Sequence, residues 1–214
     1  MQIQWLGNSC FKIQVKNNAH ETLVLTDPYS PKSGLGKGRF SADLVIYSQE
    51  KNDLLLDPGE IKGTEQMANP FIIKSPGEYE LQSSFVYGLP HSSKEKNTLY
   101  VLSIEDIKIA FLGLLDKKDL SSKELEAIEG VDILLIPVGG KNILNAADAA
   151  KLVNEIEPRI IIPMCYKTTG TSVDFETVDR FVKEMGNKKE ELDKLKISKK
   201  DLPQEETRLI LLNI

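Results

Sequence analysis

The stretch Asp43-Leu-Val-Ile-Tyr-Ser-Gln49-Glu-Lys51-Asn-Asp53-Leu54 sets a short apolar run against a polar turn. Leu44 to Ile46 is aliphatic throughout and reads as a buried strand. It runs straight into Gln49–Asp53, which is polar and carries charges of both signs. The rest of the chain is organised around that junction.

Upstream, Gln2 to Trp5 and Phe11 to Val15 read as strands joined by Gly7-Asn8-Ser9, whose residue types favour a turn. Thr22 to Thr26 is a third strand, after a polar tip that carries His20. Asp27-Pro28 ends it, and an acid there either faces a cleft or caps the turn. Ser30-Pro-Lys-Ser-Gly34-Leu-Gly36-Lys-Gly38-Arg39 follows. Its glycines and basic residues suit a mobile loop or a backbone cradle for an anion, without the spacing of a P-loop.

Downstream, Phe71–Ile73, Tyr79–Leu81, Phe85–Leu89, Thr98–Ile104 and Ile107–Leu112 read as successive strands of an antiparallel meander, with Glu105-Asp106 as a two-residue hairpin turn. The second half then changes character. Ser121-Ser-Lys-Glu124 is a capping-box pattern opening a short helix. Val131–Pro137 and Arg159–Met164 are near-continuous apolar strands, expected to be buried on both faces. Asn145 caps a helix from Ala146 to Glu155. Asp174 is expected to cap another running to Met185, with Phe175, Val178, Phe181 and Val182 at helical spacing. Lys188–Lys200 reads as a solvated charged run, and Thr207–Leu212 as a closing strand. A β-rich half followed by alternating strand and helix predicts one α/β domain over residues 1–214, with two sheets packed face to face and helices outside.

Composition narrows the function. The 214 residues are 41% hydrophobic and 28% charged, an ordinary globular balance. No apolar run approaches the roughly 20 residues of a membrane span, and the N-terminus lacks the pattern of a signal peptide, so a cytoplasmic protein is expected. A net charge of −5 argues against general nucleic-acid binding. Two cysteines, Cys10 and Cys165, make no disulfide framework. Two histidines, His20 and His91, cannot fill a histidine-rich two-metal centre, since even one catalytic zinc ordinarily takes three protein ligands.

Several segments carry a family resemblance. Trp5-Leu-Gly7-Asn8-Ser-Cys10-Phe, Leu25-Thr-Asp27-Pro28, Ser75-Pro-Gly-Glu-Tyr-Glu80, Asp132-Ile-Leu-Leu-Ile-Pro-Val-Gly-Gly140 and Ile162-Pro-Met-Cys165-Tyr166-Lys167 occur in this order. They resemble the metallo-β-lactamase superfamily, in the branch that includes the L-ascorbate-6-phosphate lactonases and small bacterial proteins labelled Zn-dependent hydrolases. The resemblance implies a four-layer αββα sandwich with its site at the strand ends on one edge. It also implies a metal-binding motif, His-x-His-x-Asp-His, after the strand and Ser48. Here those four positions are Gln49, Lys51, Asp53 and Leu54. The family's third histidine corresponds to the region of His91, its bridging Asp to Leu114 after Gly113, and its last histidine to Cys165. Asn8 stands where related proteins often carry His.

Three functional expectations follow. In the first, the metal site is vestigial and no cofactor is bound; the chain is non-catalytic and takes a small anionic ligand, through Asp27, Lys51 and Lys167, or a partner. In this reading Lys51 enters the site and pairs with Asp53. In the second, Asp53, His91 and Cys165 hold one zinc, with Asp27 in support, and the protein is an atypical hydrolase of an ester, lactone or phosphoester. In the third, Cys165 is a thiolate nucleophile assisted by Lys51, Lys167 or His91.

Overall fold

The computed structural model describes residues 1–17, 20–82, 84–92 and 96–214. The tip between the second and third strands and the segment 93–95, after His91, therefore lie outside the described residues, as does the side chain of His20. Strands β1 (Gln2–Gly7), β2 (Cys10–Asn17), β3 (His20–Thr26), β4 (Leu44–Ile46) and β5 (Phe71–Ile73) precede the hairpin series β6 (Gly77–Leu81), β7 (Ser84–His91), β8 (Asn97–Ile104) and β9 (Ile107–Phe111). Helix α1 (Ser122–Ile128), β10 (Ile133–Pro137), α2 (Ala146–Ile156), β11 (Ile160–Met164) and α3 (Asp179–Glu184) follow. The chain then adds β12 (Glu190–Leu192), β13 (Leu195–Lys196) and β14 (Arg208–Leu212).

These strands form two sheets. The first has six strands in the order β13-β1-β2-β3-β4-β5, and the second has eight in the order β12-β14-β11-β10-β9-β8-β7-β6. Alternation along β1 decides which face is inward: Ile3 and Trp5 are buried while Gln2 and Gln4 are only half-buried. Ile3, Trp5, Phe11 and Ile13 from one sheet meet residues such as Leu89, Leu99, Leu102 and Phe111 from the other in one large core. Each fully buried side chain of this kind contributes roughly 1.5–3 kcal/mol by leaving water. A second cluster, including Cys10, Leu25, Phe40, Val45 and Tyr47, lies on the other face of the first sheet. Among the described residues its cover is the irregular segment around Phe40–Ile61, with one short 3₁₀ turn at Pro58–Glu60, and not an α-helix.

The second half follows its sequence pattern closely. Strand β10 is buried at every residue and lies parallel to both β9 and β11. Its connections to those neighbours carry α1 and α2, as parallel pairing requires. Both caps form as expected: Ser121 and Glu124 complete a capping box on α1, and the Asn145 side chain accepts from the Asp148 N–H on α2. Glu105 and Asp106 both take positive φ, as a type I′ hairpin turn demands.

Three expectations are corrected. Strand β5 does not belong to the meander; it pairs parallel with β4 in the first sheet. Asp174 does not cap a helix, and α3 begins only at Asp179. The Glu176 N–H goes to the Gly139 carbonyl and its own carbonyl receives the Lys167 N–H, so tertiary backbone bonds hold this segment extended against local helical spacing. The charged run Lys188–Lys200 is more than a solvated face. It supplies β12 to the edge of one sheet and β13 to the edge of the other, burying Leu195 and Ile197. No described helix is long and apolar enough to cross a membrane.

Candidate functional site

The sandwich brings the C-terminal ends of β1, β3, β4, β9 and β11 to one rim. Its centre is Asp27. This carboxylate is fully buried, accepting the Ser48 N–H at 2.7 Å on one oxygen and the Ser48 hydroxyl at 2.6 Å on the other. Burial pushes its pKa up to about 6, with the bonds from Ser48 and Ser9 pulling the other way. Asp27 therefore neither faces an open cleft nor caps a turn; it ties the end of β3 to the end of β4.

Asn97 makes the corresponding tie within the second sheet, between the start of β8 and the segment that follows β9. Its side-chain N–H donates to the Leu112 carbonyl at 3.0 Å, and its Oδ1 accepts from the Leu114 N–H at 3.2 Å. Next to it, Thr98 N–H donates to the Ser48 carbonyl, and Gln49 forms a single antiparallel bridge with Asn97. Gly113 is obligatory at this crossing. Its φ is +56°, and a Cβ there would lie 2.1 Å from the Ser48 Cβ. Sequence reading named neither Asn97 nor Ser48 as a positioning residue. A polar residue at the start of an apolar strand was the only signal available.

The residues expected to carry chemistry do not meet. Asp53 points outward, with its side chain 87% exposed, and pairs with Lys32 at 2.8 Å. That pairing holds its carboxyl below the usual range. Lys51 is exposed and makes no ion pair with Asp53, contrary to expectation. The turn is pinned in this outward position by backbone bonds: Ser30 N–H donates to the Leu54 carbonyl, and Leu56 N–H to the Pro28 carbonyl. Gln49 is buried and accepts from the Asn52 amide; Leu54 and Leu114 are half-buried.

Cys165 lies at the opposite extreme. It is fully buried in a left-handed conformation (φ +54°), its N–H bonded to the Asn8 carbonyl. Burial, with the Asp27 charge behind it, pushes its thiol well above the ordinary value. This disfavours the thiolate that the nucleophile reading requires. Lys167 is exposed beyond it and is not among the residues lining the cavity beside Lys51.

His91 ends β7 and is buried. Its Nδ1 lies 2.7 Å from Glu124 Oε1, at the start of α1. Burial works against ionisation of Glu124, but the Ser121 hydroxyl and N–H and the His91 ring hold its carboxyl below the ordinary range. An ionised Glu124 is an acceptor only, which places the imidazole proton on Nδ1. The other ring nitrogen, Nε2, is buried without a hydrogen-bond partner among the described residues, 4.0 Å from Asp116 Oδ1. The capping box was legible in the sequence, but not that its Glu would hold His91.

The glycine-rich loop is also spent on structure. Ser172 N–H donates to the Ser33 carbonyl, the Ser172 hydroxyl donates to the Lys32 carbonyl, and a Cβ at Gly34 would lie 2.4 Å from the Gly170 carbonyl oxygen. These contacts fix the start of the loop at Lys32–Gly34, where a mobile loop was one of the two expectations. Lys51 instead borders the outer surface of the motif turn, beside a cavity of about 770 Å³ that also touches Tyr47, Gln49, Asn52 and Lys74.

Two face-to-face sheets with a polar cluster at the strand ends of one edge define an α/β sandwich of the metallo-β-lactamase fold. A sequence profile described as the beta-lactamase superfamily domain matches residues 2–165, and the chain belongs to that family. A protein of Pyrococcus horikoshii named a UPF0173 metal-dependent hydrolase is 27% identical, over 85% of this chain and 92% of that one. A UPF0173 metal-dependent hydrolase of Thermus thermophilus is 22% identical over 78% of this chain and 84% of that one. Among solved structures, a candidate Zn-dependent hydrolase of the metallo-beta-lactamase superfamily from Thermotoga maritima superposes with a TM-score of 0.80 at 27% identity, covering 99% of this chain and 97% of that one.

The relatives' names raise the question of a metal, and the donor set here answers it by chemistry. Among the described residues no three His, Cys, Asp or Glu side chains come together as a metal site. Asp53 lies at the surface and Cys165 is a buried thiol whose ionisation is disfavoured, so of the three expected donors only His91, through Nε2, keeps a nitrogen available. In this arrangement they do not fit a metal ion.

Proposed function

We propose that this chain is a non-catalytic member of the beta-lactamase superfamily, a cytoplasmic pseudoenzyme whose motif edge has become structural and which binds a small anionic ligand or a partner. One observation carries the reading: the acid retained from the metal motif, Asp53, is turned out to Lys32. Asp27, the carboxylate at the centre of the rim, is occupied by Ser48. A metal would require the turn to redock inward, breaking the Ser30 N–H and Leu56 N–H bonds that hold it, and a new set of donors to be desolvated before it gained any bond energy.

A second reading is favoured by the relatives' names and by the free Nε2 of His91: an atypical metal-dependent hydrolase of an ester, lactone or phosphoester. Elemental analysis of the untagged protein, purified without chelators, separates the two. The proposal expects no stoichiometric zinc, iron or manganese and no rise in melting temperature with added zinc. About one metal per chain, lost on Asp53→Ala or His91→Ala, would replace it with the hydrolase.

A further inference from the structure

The anionic ligand expected from sequence was placed at Asp27, Lys51 and Lys167, yet Asp27 is buried, Lys167 does not line the cavity at Lys51, and the charges around Lys51 do not favour an anion. The cavity beside it is bordered by three lysines, Lys32, Lys51 and Lys74, against four carboxylates, with Lys32 already taken by Asp53. Lys74 sits over the Tyr47 ring, 5.4 Å from its centroid. Carboxylates thus outnumber ammonium groups there by one, and a multiply charged anion would meet at least as much repulsion as attraction.

The opposite end of the sandwich differs. Strand β1 begins at Gln2 and reaches the rim after Gly7, so Gln2 lies roughly 20 Å from Asn8 at about 3.3 Å per residue. Around Gln2 is a depression of about 640 Å³ bordered by Gln14, Lys16, Glu105, Lys194 and Lys196. The topology builds it. Gln2 has Gln14 opposite on β2 and Lys196 opposite on β13, and Lys16 continues the same face of β2.

The charges bordering this depression are mostly positive. Lys16, Lys194 and Lys196 are exposed, and none forms an ion pair among the described residues. Glu105, the one carboxylate bordering the depression, is held by the Met1 amino group at 2.6 Å. Against the lysines stands Glu21, opposite Lys16 on β3, whose carboxylate has one oxygen without a hydrogen-bond partner among the described residues and offsets part of the Lys16 charge. In a chain of net charge −5, three lysines and the Met1 amino group against Glu105 and Glu21 still leave this concave surface positive, a local reversal of sign. The Gln2 and Gln14 amides, 3.4 Å apart, add neutral hydrogen-bonding groups between them.

We propose that Lys16, Lys194 and Lys196, with Gln2 and Gln14, form a binding site for a small polyanion of the diphosphate type. Ammonium groups are point-charge donors that suit phosphate oxygens without imposing one orientation. A ligand carrying two phosphate groups offers three ammonium groups more charge and more acceptor oxygens than orthophosphate does. The site does not depend on whether the motif edge holds a metal.

The test is titration of the ¹⁵N-labelled full chain, metal-free, with inorganic pyrophosphate at low ionic strength. Saturable shifts confined to Gln2, Gln14, Lys16 and Lys194–Lys196 are expected, weakened by added salt as screening requires. The triple variant K16Q/K194Q/K196Q should bind at least tenfold more weakly. K32Q/K51Q/K74Q should bind as the parent does, and orthophosphate more weakly than pyrophosphate. All six lysines are at least partly exposed and the Gln substitutions keep most of each stem, so the folded spectrum is retained. Non-saturable binding, shifts at the motif turn, or greater loss in the second variant would each overturn the site. Metal content decides the reading of the motif edge by a separate measurement, so the two can fail independently.

Discussion

The inner and outer layers of the motif edge are built on different principles. The inner layer is Asp27, Ser48, Asn97 and Gly113: fully buried contacts, short charge-assisted bonds, and left-handed backbone at Asn8, Asp27, Gly113 and Cys165. Non-glycine residues in that conformation persist only where the surroundings over-determine them. The outer layer is the turn Gln49–Leu54, whose charged side chains lie at the surface and exchange easily with solvent. Strand-end geometry and exposed chemistry are thus separable: one is fixed by packing, while the other is set by a few side chains that packing does not constrain.

This contrast is broken most severely at Gly113. Gly113→Ala forces a Cβ to within 2.1 Å of the Ser48 Cβ and puts alanine at φ +56°. Overpacking and backbone strain together should cost about 3–5 kcal/mol in urea unfolding. A loss below about 1 kcal/mol would mean that the β9 end and Ser48 are not in contact, and the inner layer would need redrawing.

The next effect is a pH dependence from Asp27. Its folded pKa is raised to about 6 from 3.8. The folded state therefore favours the protonated acid. The stability this group contributes is complete below the unfolded value and is lost as pH rises through the folded one. Unfolding free energy should fall by up to about 3 kcal/mol between roughly pH 4 and pH 7 from this group alone. Glu124, held below its ordinary range, acts in the opposite sense at more acidic pH. Subtracting the profile of Asp27→Asn from that of the parent isolates the first slope. Equal profiles would show that Asp27 is solvated.

Sequence reading recovered what periodicity and caps encode. The apolar runs of β10 and β11, the Ser121 and Asn145 caps and the Glu105-Asp106 hairpin all lie where the residues place them. It failed where tertiary bonds outweighed local pattern, at residues 174–178 and in the charged run that became β12 and β13. At the rim, spacing along the chain could locate the motif positions but not aim them. Whether Asp53 faces Lys51, Lys32 or Cys165 depends on how the turn docks against Ser30 and Pro28, more than twenty residues earlier. The pairing of His91 with Glu124 joins residues 33 positions apart and left no local trace.

The smallest expected effect tests the outer layer. Asp53 and Lys32 form an exposed pair, with side chains 87% and 67% accessible. Such pairs are screened by solvent and salt and add little to stability. The turn is held by Ser30 N–H to the Leu54 carbonyl and Leu56 N–H to the Pro28 carbonyl, and neither bond involves these side chains. Asp53→Ala and Lys32→Ala should therefore leave the urea midpoint unchanged within error, and hydrogen exchange at Ser30 and Leu56 should match the parent. A clear destabilisation by Asp53→Ala with none from Lys32→Ala would require another partner for the carboxylate. That asymmetry would show that Lys32 does not hold the carboxylate, and the same pair of variants measured with and without added zinc would tell whether a metal does.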